Sequence, residues 1–256
     1  MKYYPFIGLY TLCVKEIARF MNVYLQTIFA PVITTFLFYY IFSLSIGPYA
    51  KTVHDISYIA FLAPGLVMMA IMQNAFANPS SSLITSKIME TIRDVIIAPL
   101  TPHELVLGYT FGGVFRGMLI GLCCVIVFYL LGSVTFYHIG FIFLFALLGG
   151  IFLSLLGLIG GIWSEKFDHL AAITNFIVMP MTFLSGTFYT LNRLPESIQT
   201  IAAYNPFFFI IDGFRFGFIG HAESDITFGI IYISLLNFIL YLISYFMFKT
   251  GYKLKS

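Results

Sequence analysis

Residues 139–163 read IGFIFLFALLGGIFLSLLGLIGGIW, and none of them is Asp, Glu, Lys, Arg or His. A helix crossing about 30 Å of hydrocarbon needs roughly 20 predominantly apolar residues. This run exceeds that length. It is apolar on every helical face, where a surface helix would show one stripe. A transmembrane β-strand would instead be about 10 residues long with alternating polarity. The stretch therefore reads as a membrane-spanning helix.

The rest of the chain agrees. It has 256 residues, of which 60% are hydrophobic and 9% charged, with a mean hydropathy of +0.95. A soluble domain carries about a quarter charged residues, so these charges could not cover a water-facing surface. Thirty Phe and seventeen Tyr add bulky, lipid-compatible area. The class is an all-α integral membrane protein in contact with membrane lipids. The formal charge of +2 gives no sign of nucleic-acid binding. Cys13, Cys123 and Cys124 show neither metal spacing nor a disulfide framework and read as small apolar fillers. The five histidines are scattered over loop positions, and no metal site is expected.

Six runs are long and apolar enough to span: about 24–46, 58–80, 103–131, 139–163, 170–189 and 226–248. Residues 5–22 precede them and mix apolar residues with Lys15, Glu16 and Arg19. That pattern suits an N-terminal helix lying in the interface plane, and it is not read as a signal peptide. With six spans, both termini share one side. That side holds Lys2, Lys15, Arg19, Lys87, Arg93, Lys166, Lys249, Lys253 and Lys255, against Lys51, Arg193 and Arg215 opposite. Lys and Arg favour the cytoplasm, so both termini are expected there.

The third and fourth runs carry small residues four apart: Gly108 and Gly112; Gly113, Gly117 and Gly121; Gly157 and Gly161. Such ridges let helix backbones approach closely. Whether the partner is the same chain or a second copy stays open. No duplicated half is visible, so the inverted repeat of many secondary transporters has no support.

Residues 83–104 read LITSKIMETIRDVIIAPLTPHE. Ile84, Ile88, Ile92 and Ile96 recur every four residues, with Lys87, Glu90, Thr91, Arg93 and Asp94 opposite. The spacing predicts an amphipathic cytoplasmic helix over about 84–98, ended by Pro99. Thr101-Pro102-His103-Glu104 then fits a capping box that starts the third span afresh. Such an elbow could pass a push into the membrane, or it could be an ordinary interfacial helix.

The run KIMETIRDVIIAPLTPHELVLG, from Lys87 to Gly108, resembles the cytoplasmic segment of ABC-2 type transport permeases. FLAPGLVMM at 61–69 resembles the family's second span. Asn205-Pro206 followed by Asp212-Gly213-Phe214-Arg215 resembles its signature before the last span. The likeness covers nearly the whole chain. It implies a homodimer of six-span subunits in a bacterial inner membrane, paired with two copies of a separate ATPase. It implies export, and ATP and Mg held by that partner, with no cofactor on this chain. It also implies that the amphipathic segment, with Lys87, Glu90, Thr91, Arg93 and Asp94, docks on the ATPase as a coupling helix. The sequence adds one independent point: it contains no G-x-x-x-x-G-K-[ST] phosphate loop. The chain is therefore expected not to hydrolyse ATP itself.

Two places carry charge where lipid is expected. Arg116 lies about three turns into the third span. It could bind an anionic group of the cargo, pair with Glu16, or snorkel to the headgroups. Gly113 and Gly117 beside it are candidates for pathway or packing. The second place is the outer segment between spans five and six. NPFFFIIDGFRFGFIG, 205–220, would rise only about 22 Å, short of a span. With a short helix over 194–204 it reads as a re-entrant hairpin over about 194–220, with Asn205 as cap and Pro206 opening the returning helix. Asp212 and Arg215 stand three apart, where they can neutralise each other. Their pair either fixes the hairpin or holds an outer gate closed.

Two other functions compete with the permease reading. An ion-coupled secondary carrier usually needs acidic residues near mid-membrane, and none lies near the middle of the six runs. An intramembrane enzyme acting on a lipid-linked substrate needs clustered His, Asp, Ser or Arg. No H-E-x-x-H, G-x-S-x-G or paired catalytic Asp occurs.

Overall fold

The computed structural model describes residues 7–45, 56–190, 195, 199, 202 and 204–254. Their regular structure is helical. In chain order the helices are α1 (Ile7–Met21), α2 (Leu25–Ser45), α3 (Tyr58–Ile88), α4 (Ile92–Ile97), α5 (Pro102–Leu130), α6 (Ile139–Trp163), α7 (167–183), α8 (Pro206–Ile219) and α9 (Ile226–Thr250). Among the described residues five of these are long and apolar enough to cross a membrane: α2, α3, α5, α6 and α9.

α3 is the central post. Its sequence is apolar nearly all round, and most of its side chains are buried, from Phe61 and Leu62 down to Leu83 and Ile84. The glycine ridges of its neighbours explain how they approach it. A Cβ on Gly113 of α5 would stand 2.7 Å from the Ala75 carbonyl oxygen, and one on Gly117 2.7 Å from that of Ile71. A Cβ on Gly157 of α6 would collide with the Phe76 carbonyl. The Gly113–Gly117–Gly121 and Gly157–Gly161 ridges therefore pack within one chain, against α3, while Gly108 and Gly112 face Leu12 and Glu16 of α1.

α2 and α7 are built alike. α2 opens on a wide turn over Leu25–Phe29, where the Ala30 N–H reaches back five residues to the Leu25 carbonyl. α7 has the same widening over Thr174–Val178, with the Met179 N–H on the Thr174 carbonyl. Pro31 follows the first and Pro180 the second. A helical proline lacks an N–H and crowds the carbonyl four residues back. Inserting one residue into the turn relieves that crowding.

The sequence predicts one span over 170–189, and the structure differs. The helix begins at Phe167 and stops at Phe183. The hydroxyls of Ser185 and Thr187 both donate to the Thr182 carbonyl, and Gly186 turns the chain at φ 72°. These local bonds compete with helix continuation. α7 is thus 17 residues, near the lower limit for a span.

The amphipathic helix predicted over 84–98 is divided. α3 runs on to Ile88, Glu90 takes a left-handed φ of 58°, and α4 begins at Ile92. The cause is a tether. The Lys87 ammonium donates to the Ile162 carbonyl and, at 2.9 Å, to that of Ser164. This fixes the end of α3 on the end of α6, so α3 cannot bend out along a surface. Of the expected isoleucine stripe, Ile84 and Ile92 are buried while Ile88 and Ile96 are exposed. The capping box at Thr101 is present: Glu104 N–H donates to Thr101 Oγ1 at 3.3 Å, and Thr101 N–H donates to the Glu104 carboxylate at 2.8 Å.

Candidate functional site

QNAFANPSSS, 73–82, lies within α3 and belongs to none of the motifs read from the sequence. In the fold this stretch organises a polar seam through the apolar bundle. Its residues stand where the face of α3 meets α1, α5 and α7. The signal was available, since six polar residues interrupt an otherwise apolar helix within ten positions.

α1 supplies the first part. Its inward stripe is Leu12, Glu16 and Phe20, so the acid lies in the middle of an apolar row. Glu16 is buried and packs over Gly112 of α5, where a Cβ would meet the Glu16 side chain 2.6 Å away. Ser82 Oγ donates to Glu16 Oε1 at 2.7 Å. Arg19 and Asn78 Nδ2 donate to Oε2 at 3.4 Å each. Arg19 Nη2 also reaches the Asn78 carbonyl at 2.7 Å and its Oδ1 at 2.8 Å. A buried charge is tolerable when paired and hydrogen-bonded in this way. Glu16 and Arg19 therefore do not lie on a solvated face with Lys15, which is exposed.

Arg116 stands further along α5, about 21 Å along the axis from Pro102. Its Nη2 donates to Asn74 Oδ1 at 3.0 Å. It neither pairs with Glu16 nor turns toward a helix end. Asn74 Nδ2 in turn donates to the Ala70 carbonyl at 2.9 Å.

Two cavities flank the seam. One, of about 140 Å³, lies between α2, α3 and α7 and includes Thr34, Thr35, Gln73, Asn74 and Met179. The other, of about 200 Å³, lies between α3 and α7 and includes Gln73, Ala77, Ser81, Thr174 and Met179. Gln73 and Met179 border both and touch each other, Nε2 to Sδ, at 3.4 Å. The widened turn of α7 borders the second cavity, and Pro31, just past that of α2, borders the first. Such turns are frequent at functional sites.

α8 closes the bundle at the other end. Asn205 caps it by accepting the Phe207 N–H at 3.0 Å, and its Nδ2 donates to the Met181 carbonyl at 2.8 Å. Pro206 opens the helix. Phe207 packs edge-on to Phe152 in the middle of α6, while the Gly217 carbonyl accepts from the Tyr137 and His138 N–H groups where α6 begins. α8 thus starts beside the centre of α6 and ends beside its first turn. The descending arm predicted over 194–204 falls largely outside the described residues.

Asp212 and Arg215 do not pair. Among the described residues the ion pairs are Arg19–Glu16 and Lys253–Glu165. The Asp212 carboxylate accepts the N–H groups of Glu223 and Ser224, at 3.0 and 2.8 Å, and the Ser224 hydroxyl at 2.6 Å. It holds the turn into α9. Arg215 points elsewhere, donating to the Gly186 carbonyl at 2.7 Å and lying 3.7 Å over the Phe61 ring. It holds the turn after α7. Spacing brought the two within reach, and better partners on two loops separated them.

At the opposite end, Glu90, Thr91, Arg93 and Asp94 are exposed, whereas Lys87 is turned inward onto α6. Ile97 beside them is 81% exposed. Lys253 pairs with Glu165 at 2.8 Å and holds that carboxyl below its ordinary range.

The ABC-2 type transporter family model matches residues 8–219. The chain is 34% identical to inner membrane transport permease YadH of Escherichia coli K12, over all of both chains. It is 26% identical to nodulation protein J of Neorhizobium galegae, over 73% of each, and 27% identical to that of Bradyrhizobium diazoefficiens, over 66% of this chain and 65% of the relative. With the helical bundle described above, these matches place it: the chain belongs to the ABC-2 type transporter family.

Proposed function

We propose that this chain is the permease subunit of an ATP-driven exporter in a bacterial inner membrane. α7 crosses as a sixth span, both termini lie in the cytoplasm, and two copies of the chain enclose the pathway. A separate ATPase, also in two copies, supplies ATP and Mg; this chain binds no cofactor. Segment 89–97 docks on that ATPase through Glu90, Thr91, Arg93 and Asp94. Lys87 transmits the movement to α6 through the carbonyls it holds. α8, with Asn205, Pro206, Asp212 and Arg215, forms the outer closure.

The full-length similarity to a transport permease carries this reading. Other observations support it. The docking segment combines exposed charges with an exposed Ile97, the composition of a contact rim around an apolar centre. α7 borders both cavities and α2 the first, and the two helices expose Leu25, Phe29, Ile33, Phe176 and Ile177, an apolar face that suits a second copy. Gly113 and Gly117 serve packing, since α3 occupies the space beside them.

Co-purification in mild detergent tests the assignment. The chain should bring down an ATPase and lose it when Glu90→Lys and Arg93→Glu are introduced together. Retention of the ATPase by that variant would remove segment 89–97 from the interface. Proton-driven flux without ATP would replace the reading with an ion-coupled carrier.

A further inference from the structure

α3 leaves one line of side chains uncovered, and that line is polar or small. Between Phe61 and Ser86 the side chains that are not buried are Gln73, Ala77, Ser81 and Thr85. They stand four apart and so share one face of the helix. α9 shows what a face turned to lipid carries: it exposes Phe228, Ile231, Leu235 and Phe238. Amide and hydroxyl groups facing hydrocarbon without a partner are costly.

Open space lies along the same line. Gln73, Ala77 and Ser81 line the cavity of about 200 Å³, which Thr174 of α7 also borders. Gln73 lines the cavity of about 140 Å³ as well, together with Thr34 of α2. Gln73 and Met179, in contact at 3.4 Å, stand where the two cavities meet. Either cavity is several times the share of one water in the liquid, about 30 Å³. From Gln73 to Thr85 the line runs about 18 Å, more than half the thickness of the hydrocarbon. Beyond Gln73 it closes, since every side chain from Phe61 to Met72 is buried. The line therefore begins near α4 and stops midway along α3.

This wall is polar without being charged. Among the described residues no Asp, Glu, Lys, Arg or His lines either cavity. Arg19 reaches Ser81 Oγ at 3.3 Å, but Glu16 meets its charge. The hydroxyls of Ser80, Ser81 and Thr174 donate to the carbonyls of Phe76, Asn78 and Leu170. Each such oxygen keeps a lone pair for an outside donor. An ionised group entering here would lose its water without meeting an opposite charge. A neutral hydroxyl group would exchange bonds to water for bonds to the wall.

We propose that Gln73, Ala77, Ser81 and Thr85, with Thr174 opposite, form the wetted wall of the cargo path, and that the wall takes an uncharged, hydroxyl-rich part of the cargo. The Gln73–Met179 contact is its narrow point. The proposal rests on the permease reading and adds the wall and the chemical class of what it holds.

Thiol labelling of the purified full-length chain in phosphatidylcholine nanodiscs tests both parts. Cys13, Cys123 and Cys124 are first replaced by Ala. Ala77→Cys and Ser81→Cys probe the wall, and Leu122→Cys and Leu235→Cys are controls at positions 57% and 56% exposed. The controls have more room, so faster reaction at the wall reads water. A permanently charged methanethiosulfonate should modify the wall thiols about tenfold faster or more, because the reactive thiolate needs water. Octyl glucoside, octyl phosphate and octanol are then compared as protecting agents with one tail and three heads, each below its micelle concentration. Octyl glucoside should slow the reaction of Ala77→Cys about threefold at twice its half-saturating concentration, and the other two should not. If Ala77→Cys or Ser81→Cys fails to fold, Thr85→Cys and Thr174→Cys on the same wall decide. Wall thiols no faster than the controls overturn the proposal. So does the absence of protection by octyl glucoside, or equal protection by octyl phosphate. The labelling needs no ATPase, so failure of ATPase capture would strike the permease reading and leave this result standing. Unreactive wall thiols in a chain that captures the ATPase would strike the wall alone.

Discussion

The molecule buries two arginines in its apolar body, and they are used in opposite ways. Arg215 is 2% exposed, holds the Gly186 carbonyl and lies against the face of Phe61. Its charge is spent on closing a turn. Arg116 instead meets a side-chain amide, Asn74 Oδ1 on α3; among the described residues no aromatic face lies against it, and the Nε of each arginine lacks a hydrogen-bond partner. Arg215 joins two segments through a backbone carbonyl and an aromatic face, whereas Arg116 ties α5 to a side chain of α3. Composition alone could not have separated them, since each is a single Arg in an apolar helix.

The contrast predicts effects of different size. Arg215→Leu should be the most damaging, losing a charge-assisted bond and a desolvated cation–π contact while leaving a buried carbonyl unpaired. The expected cost is about 3–5 kcal/mol, read as reduced thermal stability in detergent. Asp212→Asn comes next at about 2 kcal/mol, because three donors from residues 223–224 lose a charged acceptor. Hydrogen exchange should show the Ser224 amide opening faster. Thr101→Ala removes one bond of a capping box and should cost about 1 kcal/mol, read in the same melting assay. Arg116→Gln should lie lowest, within about 1 kcal/mol of the parent, because it removes an uncompensated charge. A melting loss for Arg116→Gln as large as that for Arg215→Leu would erase the distinction between the two arginines.

What was legible in the sequence was what depends on near neighbours. The Thr101–Glu104 box and the Asn205-Pro206 corner are local hydrogen-bond patterns, and both are present. The glycine ridges announced close packing, though only the fold identifies the helices they meet, α1 for Gly108 and Gly112 and α3 for the others. The failures share a cause. The spacing of Asp212 and Arg215 gives reach, yet the partners that captured them lie 11 to 29 positions away. The isoleucine repeat over 84–96 gives a continuous helix, yet Lys87 is held by α6, 75 positions on. Polar residues near the end of a span, as at 73–82, have the same pattern as an approach to water. Only the placement of α1 and α5 turns them inward.

Glu16 has a consequence for the order in which the protein is made. Its partners Asn78 and Ser82 lie 62 and 66 positions later in the chain, and Gly112, which it covers, comes later still. Chains emerge amino end first, so α1 reaches the bilayer before anything exists to receive its acid. An unpaired Glu and Arg resist transfer into hydrocarbon, so α1 waits at the surface until α3 and α5 arrive. The carboxylate that locks the finished bundle is therefore also the group that keeps its first helix from inserting too soon.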